Sequence, residues 1–432
     1  MAAVRVPPRL ARVTVLLRRV LTLLLLAILV TRSSIPAQDP VENIRRYTRS
    51  IEFDFLGWTL DALGVKWAQT SLNQTGYLPE PARGAVVLEY VQLLVNEGEL
   101  EGRLAEILGS PSPPANANPD GVRRELQAAR QTENRIEPIV ESILQEQTSI
   151  ILDQLGLTTA GAPLPPVAFR FSRLPWALIV SPRDVIQQDA SIQISPETTL
   201  DDQMALESDV ETRLNVSALV VRIGGIGTYP TMVQQTPSLD FVAEVVAHEW
   251  THNTLTLQPL GLAYESSAEL RTMNETTASL MGKEVGARTI ALFYPGLAPP
   301  VPSPGLRSGP TSKMPEPPPF DFRAEMHTTR VTVDEWLAEG KVNEAEEYME
   351  ERRQFMWDHG YHLRRLNQAY FAFYGAYADE PGGPAGEDPI GAAVRALWAD
   401  SASPAEFLRT MARMDEVADL QAELKRRGLT IP

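Results

Sequence analysis

Cysteine is absent from all 432 residues, which excludes disulfides, thiolate metal sites, a cysteine nucleophile and a lipoprotein anchor together. Histidine is scarce, with five in the chain, so any imidazole chemistry falls to very few side chains. No apolar run approaches the roughly 20 residues that span a bilayer as a helix. The most apolar stretch, residues 20–30, is 11 long. Positive charge is also short. The net charge is −16, yet residues 1–32 hold six arginines and no acid, so the remainder carries −22. A body this acidic argues against nucleic acid and anionic lipid surfaces as partners. With 44% hydrophobic residues there is ample material for a packed core.

The basic end reads as an export signal. Arg5, Arg9, Arg12, Arg18 and Arg19 precede the apolar run 20–30, and Thr31-Arg32-Ser33-Ser34-Ile35-Pro36-Ala37 follows. Eleven residues suit a signal-peptide core, with cleavage after Ala37. Ile35 is not small, and residues 13–17 lengthen the run if Arg18 and Arg19 snorkel, so a single uncleaved N-terminal membrane anchor is the second reading. Both place the body outside the cytoplasm, secreted or membrane-anchored.

His248-Glu249-Trp250-Thr251-His252 puts two histidines four residues apart with a glutamate directly after the first. On a helix, side chains four apart lie about 40° apart and one turn along, so both imidazoles reach one point. The glutamate, about 100° further round, stands beside that point, where it can take a proton from a metal-activated water. A random chain of this length shows such a motif on the order of 0.4% of the time. Ser238 or Asp240 can cap the helix. Phe241, Val242, Val245, Val246 and Trp250 then give it a core-facing stripe.

Catalytic zinc takes three protein ligands and keeps a fourth position open. No third histidine follows. After a loop around Pro259 and Gly261, a helical stretch over about residues 266–292 offers Glu275 and Glu284. Nine residues apart, they project from opposite faces. Ala278, Ser279, Gly282 and Gly286 share the Glu275 face and let a neighbouring helix come close, which favours Glu275.

These residues resemble the gluzincin zinc metallopeptidases, whose H-E-x-x-H helix is followed roughly twenty residues later by a glutamate in an N-E-x-x-[AS] setting. The matching positions are His248, Glu249, His252, Asn274, Glu275 and Ala278, within about 40 residues, and the Asn-Glu-Thr-Thr-Ala string is similar to bacterial aminopeptidase-like families. The resemblance implies that His248, His252 and Glu275 hold Zn2+, that Glu249 activates the water, and that the substrate is a peptide or protein. The chain departs from the pattern twice. Ser279 stands where an acidic residue often orients a histidine, and no G-x-M-E-N segment precedes the motif, so the resemblance does not specify an exopeptidase.

The rest is expected to be mainly α. Helices are predicted over 50–72, 79–108 and 122–155, with a Pro/Asn-rich break at 110–121. Short β-rich pieces follow at 167–171, 177–180, 192–194, 219–223 and 229–233. Gly224-Gly225-Ile226-Gly227 lacks the residues of a phosphate cradle and reads as a turn or bulge, with a cleft edge as the weaker alternative. A Pro-rich stretch ends the metal-binding part, and Thr332-Val333-Asp334-Glu335 reads as a capping box opening a charged helix through Arg353. Tyr370, Tyr374 and Tyr377, at i, i+4 and i+7, form an aromatic stripe, one member of which is a candidate to steady an oxyanion, with His359, His362 and His327 as further candidates.

The expected architecture is α+β, mainly α: a zincin-like unit with a small sheet before the motif helix and a helical C-terminal lobe. The expected segments are 1–37 signal or anchor, 38–160 helical region, 161–293 metal-binding lobe, 294–320 linker and 321–432 C-terminal lobe. The expected activity is zinc-dependent peptide hydrolysis with Glu249 as general base. The alternative is a catalytically weak or inactive zinc-binding domain serving a binding or structural role in the cell envelope.

Overall fold

Proline and asparagine set where the long N-terminal helices begin. The computed structural model describes residues 40–72, 74–109, 118–297, 320–375 and 389–429. The chain forms two compact units, 1–50 and 51–432. The described part of the first is helix α1 (Pro40–Thr48), with Glu42 in its first turn and Arg45 and Arg46 in its last, as the helix dipole favours. The second opens with α2 (Phe55–Leu72), α3 (Glu80–Gly109) and α4 (Pro119–Gln154). Asn118 caps α4 through Gly121 N, and Pro119 takes the first position, where a missing N–H costs nothing. All three fall where helices are predicted.

Two short strands, β1 (Thr158–Thr159) and β2 (Ala162–Pro163), make an antiparallel pair. Next come β3 (Phe169–Ser172), β4 (Trp176–Pro182), β5 (Ala190–Ile194), helix α5 (Leu200–Leu214), β6 (Val216–Val221), β7 (Gly225–Ile226) and β8 (Thr231–Gln234). They form two three-stranded sheets, ordered β5-β4-β6, all antiparallel, and β3-β8-β7, in which β3 and β8 run parallel. Each predicted β piece overlaps a strand, three of them only in part. Helix α5 was not expected in this β-rich segment. Thr199 caps it by accepting from Asp202 N.

The motif lies on α6 (Leu239–Leu255), which a short turn α7 (Pro259–Leu262) joins to α8 (Ala268–Phe293). The two long helices pack at their backbones. A methyl group on Gly282 would stand 2.9 Å from the Glu244 carbonyl oxygen and 3.0 Å from His248 Cβ, and one on Gly286 would stand 2.8 Å from Glu244 N. Only glycine permits that approach. Val242, Val246, Trp250, Met273, Met281 and Val285 are buried in the surrounding core. At about 1.5–3 kcal/mol per buried large apolar side chain, this packing stabilises the helix pair.

Helices α9 (Phe322–Ala338), α10 (Val342–Asp358) and α11 (Gln368–Tyr374) share a second core with β4 and β6, where Ile179, Leu219, Met349 and Phe371 are buried. Helices α12 (Pro389–Asp400), α13 (Pro404–Met411) and α14 (Val417–Arg427) join the α6–α8 core through Leu397, Phe407 and Leu420. The capping box expected at residues 332–335 lies inside α9 instead. Asp321 caps that helix at Ala324 N, and Gly340, with φ +77, ends the run before α10. The fold is thus mainly helical with small sheets. Among the described residues no helix is long and apolar enough to cross a membrane. The apolar run 20–30, most of the Pro-rich stretch and Tyr377 lie outside them.

Buried acids gather where α3 meets α4. Glu97 and Glu133 are nearly covered, and the Gln235 amide nitrogen donates to Glu133, to Glu137 at 3.2 Å and to the Tyr90 hydroxyl at 2.9 Å. Burial and the neighbouring carboxylates push Glu137 up to about 8 and Glu97 up to about 7. Lys66 reaches Glu141 at 2.6 Å in the same region.

Candidate metal centre

Helical spacing brings the His248 and His252 Nε2 atoms to 3.0 Å from one another. From α8, Glu275 Oε2 lies 3.6 Å from the first and 3.4 Å from the second. A tetrahedron with bonds of about 2.0–2.1 Å has edges of about 3.3–3.4 Å, close to these three separations. Among the described residues this is the one group of three or more histidine or acidic side chains whose donor atoms converge in this way. Glu284, the competing carboxylate, accepts from Arg288 Nε at 2.7 Å instead.

Neighbouring groups fix which atoms face inward. The Asn274 amide nitrogen donates to the Leu260 carbonyl at 3.4 Å, which turns its oxygen to His252. His252 Nδ1 therefore donates to Asn274 Oδ1 at 2.8 Å, and the Nε2 lone pair of the neutral ring points at the other donors. Ser279 Oγ lies 3.5 Å from His248 Nδ1, the orienting position the sequence suggested for it. The Tyr264 hydroxyl donates to Glu275 Oε1 at 2.6 Å, while buried Oε2 has no hydrogen bond. A buried carboxylate oxygen left bare beside two imidazole nitrogens fits a cation.

The electrostatics agree. Burial alone would hold His252 neutral, but the Glu275 carboxylate outweighs it and raises the imidazole to about 9. Burial would also favour the neutral acid at Glu275, and the two imidazoles overcome it, holding the carboxyl well below the ordinary range. In the metal-free chain the space between the donors thus attracts a proton, the smallest cation available. Glu249 is pushed the other way, upward by burial, with the imidazoles offsetting part of the shift.

A cleft of about 530 Å3 opens onto these groups. Gly225 and Gly227 line it directly above Glu249. A methyl group on Gly225 would stand 2.5 Å from Glu249 Oε1, and one on Gly227 3.3 Å from Oε2. The Gly-rich string is therefore a cleft edge that includes strand β7.

Not every candidate reaches the cleft. Helix α11 contributes Phe373 to its wall, not Tyr370 or Tyr374. Those two rings pack on one another, tilted, with centroids 4.5 Å apart, Tyr370 in the core shared with β4 and β6 and Tyr374 against it. His359 stacks on Phe320 and donates through Nδ1 to the Phe355 carbonyl, and His362 packs on Trp357. Tyr264 and Arg271, by contrast, line the cleft and were not singled out in the sequence. Tyr264, in the loop just before α8, carries no motif. Its one signal is a phenol placed eleven residues ahead of the third donor.

Set against protein-family models, curated proteins and solved structures, the chain matches none of them. The geometry of the site carries the functional reading by itself.

Proposed function

We propose that this chain is a metal-dependent hydrolase of the gluzincin type, cleaving peptide bonds, with its body outside the cytoplasm by virtue of the arginine-flanked run at 20–30. The observation that carries the proposal is the convergence of His248 Nε2, His252 Nε2 and Glu275 Oε2 beside buried Glu249 in an open cleft. Two imidazoles and one carboxylate at tetrahedral spacing suit zinc. A zinc ion there supplies Lewis acidity, polarising a carbonyl and bringing the pKa of a water toward 7.

The protein's own groups do the rest. Tyr264 and Asn274 hold Glu275 and His252 in the donating orientation. Glu249, with its carboxyl raised by burial, accepts the proton of the attacking water and returns it to the leaving amine. The sheet ahead of the motif helix and the third donor on the next long helix are the layout expected of a zincin. Tyr370 and Tyr374 receive no role.

Elemental analysis of the full chain, alongside His252→Ala, tests the reading together with hydrolysis of a mixed peptide pool. One zinc per chain, absent from His252→Ala, with peptide cleavage that a chelator stops, is the expected result. A folded chain that takes up no added zinc would overturn it.

A further inference from the structure

Arg271 sits one turn before Glu275 on α8 and, among the described residues, is the one arginine or lysine lining the cleft. It is 7% exposed, and a buried guanidinium needs a counter-charge and partners for its five N–H donors. It is poorly supplied. Nη1 donates to the Gln188 carbonyl at 3.4 Å, Nη2 to Glu265 at 3.1 Å, and buried Nε to nothing. Its ion-pair partner, Glu265, is a loop carboxylate whose side chain is 79% exposed, and such pairs contribute little. The guanidinium carbon lies over the Tyr264 ring, 5.5 Å from its centroid, a cation–π contact.

A fixed, underused cation in the wall of a cleft is a receptor for an anion. Four residues of helix separate it from Glu275, a rise of about 6 Å, which extended peptide covers in about two residues. We infer that Arg271 binds a carboxylate of the substrate within about two residues of the scissile bond, with Glu265 occupying that place until the substrate displaces it. This rests on the hydrolase reading for the word substrate, though not for the binding itself. Two sources share the chemistry, an acidic side chain and a free C-terminus. Planar, bidentate recognition of either suits arginine better than lysine.

The test uses the full chain carrying Glu249→Gln, so that probes survive, and measures peptide binding by calorimetry with and without added zinc. Three probes are compared: an acetylated Ala-rich pentapeptide amide containing one Glu, its Gln counterpart, and the Gln peptide with a free C-terminus. A carboxylate probe is expected to bind about tenfold tighter than the Gln amide, and Arg271→Leu to erase that difference. Preference for the Glu amide assigns a side chain, and preference for the free terminus assigns the chain end. A merely structural arginine would weaken all three probes alike. Equal binding of all three, or a preference that survives Arg271→Leu, overturns the proposal. Should Arg271→Leu fail to fold, Glu265→Gln decides. It is expected to tighten the carboxylate probes severalfold and leave the Gln amide unchanged, and no such change overturns the proposal. Failure of the zinc-loaded parent chain to cleave any probe would count against the hydrolase reading alone, because the binding comparison stands without turnover.

Discussion

Buried carboxylates in two regions of the larger unit are driven in opposite directions by their neighbours. Where α3 meets α4, Glu97, Glu133 and Glu137 lie near one another, and Glu137 is pushed up to about 8. Between α6 and α8, Glu275 is buried more deeply than Glu137 but faces two imidazoles, and its carboxyl falls well below the ordinary range. Burial of an acid is therefore no mark of a metal site. Convergence with imidazole nitrogens is, and the acids at α3–α4 form no convergent donor group. One region sets carboxylates against carboxylates. The other sets a carboxylate against imidazoles.

The sharpest way to break this contrast is to remove a nitrogen donor. His252→Ala should drop metal content from one ion per chain to none and abolish the rise in melting temperature caused by zinc, while Glu137→Gln leaves both untouched. Loss of metal in the second variant would erase the distinction. The fold should persist in His252→Ala because packing carries α6 and α8.

Next in size is the base. Glu249→Gln should retain the ion and slow hydrolysis by about 10²–10⁴-fold, the usual contribution of general base catalysis. An undiminished rate at full metal occupancy would remove Glu249 from the mechanism. Gly282→Ala tests the helix contact itself. With the Glu244 carbonyl 2.9 Å from the added methyl, overpacking should cost about 1–3 kcal/mol in denaturant unfolding and weaken zinc uptake. Unchanged stability would mean that the helices can part at no cost.

The acids give a test by pH. A carboxyl raised from 4.5 to about 8 in the folded state binds protons more tightly there than in the unfolded chain. Its contribution is complete below pH 4.5 and disappears as pH rises through 8. Unfolding midpoints of the wild type should fall across that window, and Glu137→Gln should flatten the decline. Parallel curves would show that another group is responsible.

Much of the site was legible because its spacing is short-range. Two histidines one turn apart, a glycine-bearing face on the next helix and a glutamate on that face place three donors within about 30 residues. The β pieces were legible from their apolar alternation. Helix α5 was not, although Thr199 with Asp202 three residues later is a capping signal, because β-rich neighbours overshadowed it. Thr332 and Glu335 mimic a helix start yet lie mid-helix, where Thr332 Oγ donates back to the Thr328 carbonyl. The tyrosine stripe illustrates a harder limit. Periodicity shows that Tyr370 and Tyr374 share a face, but only tertiary packing decides that this face meets the sheet and leaves Phe373 for the cleft. Tyr264 and Arg271 act across a loop, and nothing local in the sequence distinguishes them.

The groups behind the two histidines are neutral: an amide oxygen at His252 Nδ1 and a hydroxyl near His248 Nδ1. Carboxylates in those places would make the imidazoles more basic and grip an ion harder, an influence worth about 10–100-fold in affinity. With Asn274 and Ser279 there instead, more of a bound ion's charge would be left to act on whatever enters the cleft, and the ion would exchange more readily with its surroundings. On the proposed reading, occupancy would then follow the free metal concentration outside the chain, and supply of the ion, rather than synthesis of the protein, would be the faster control over the site.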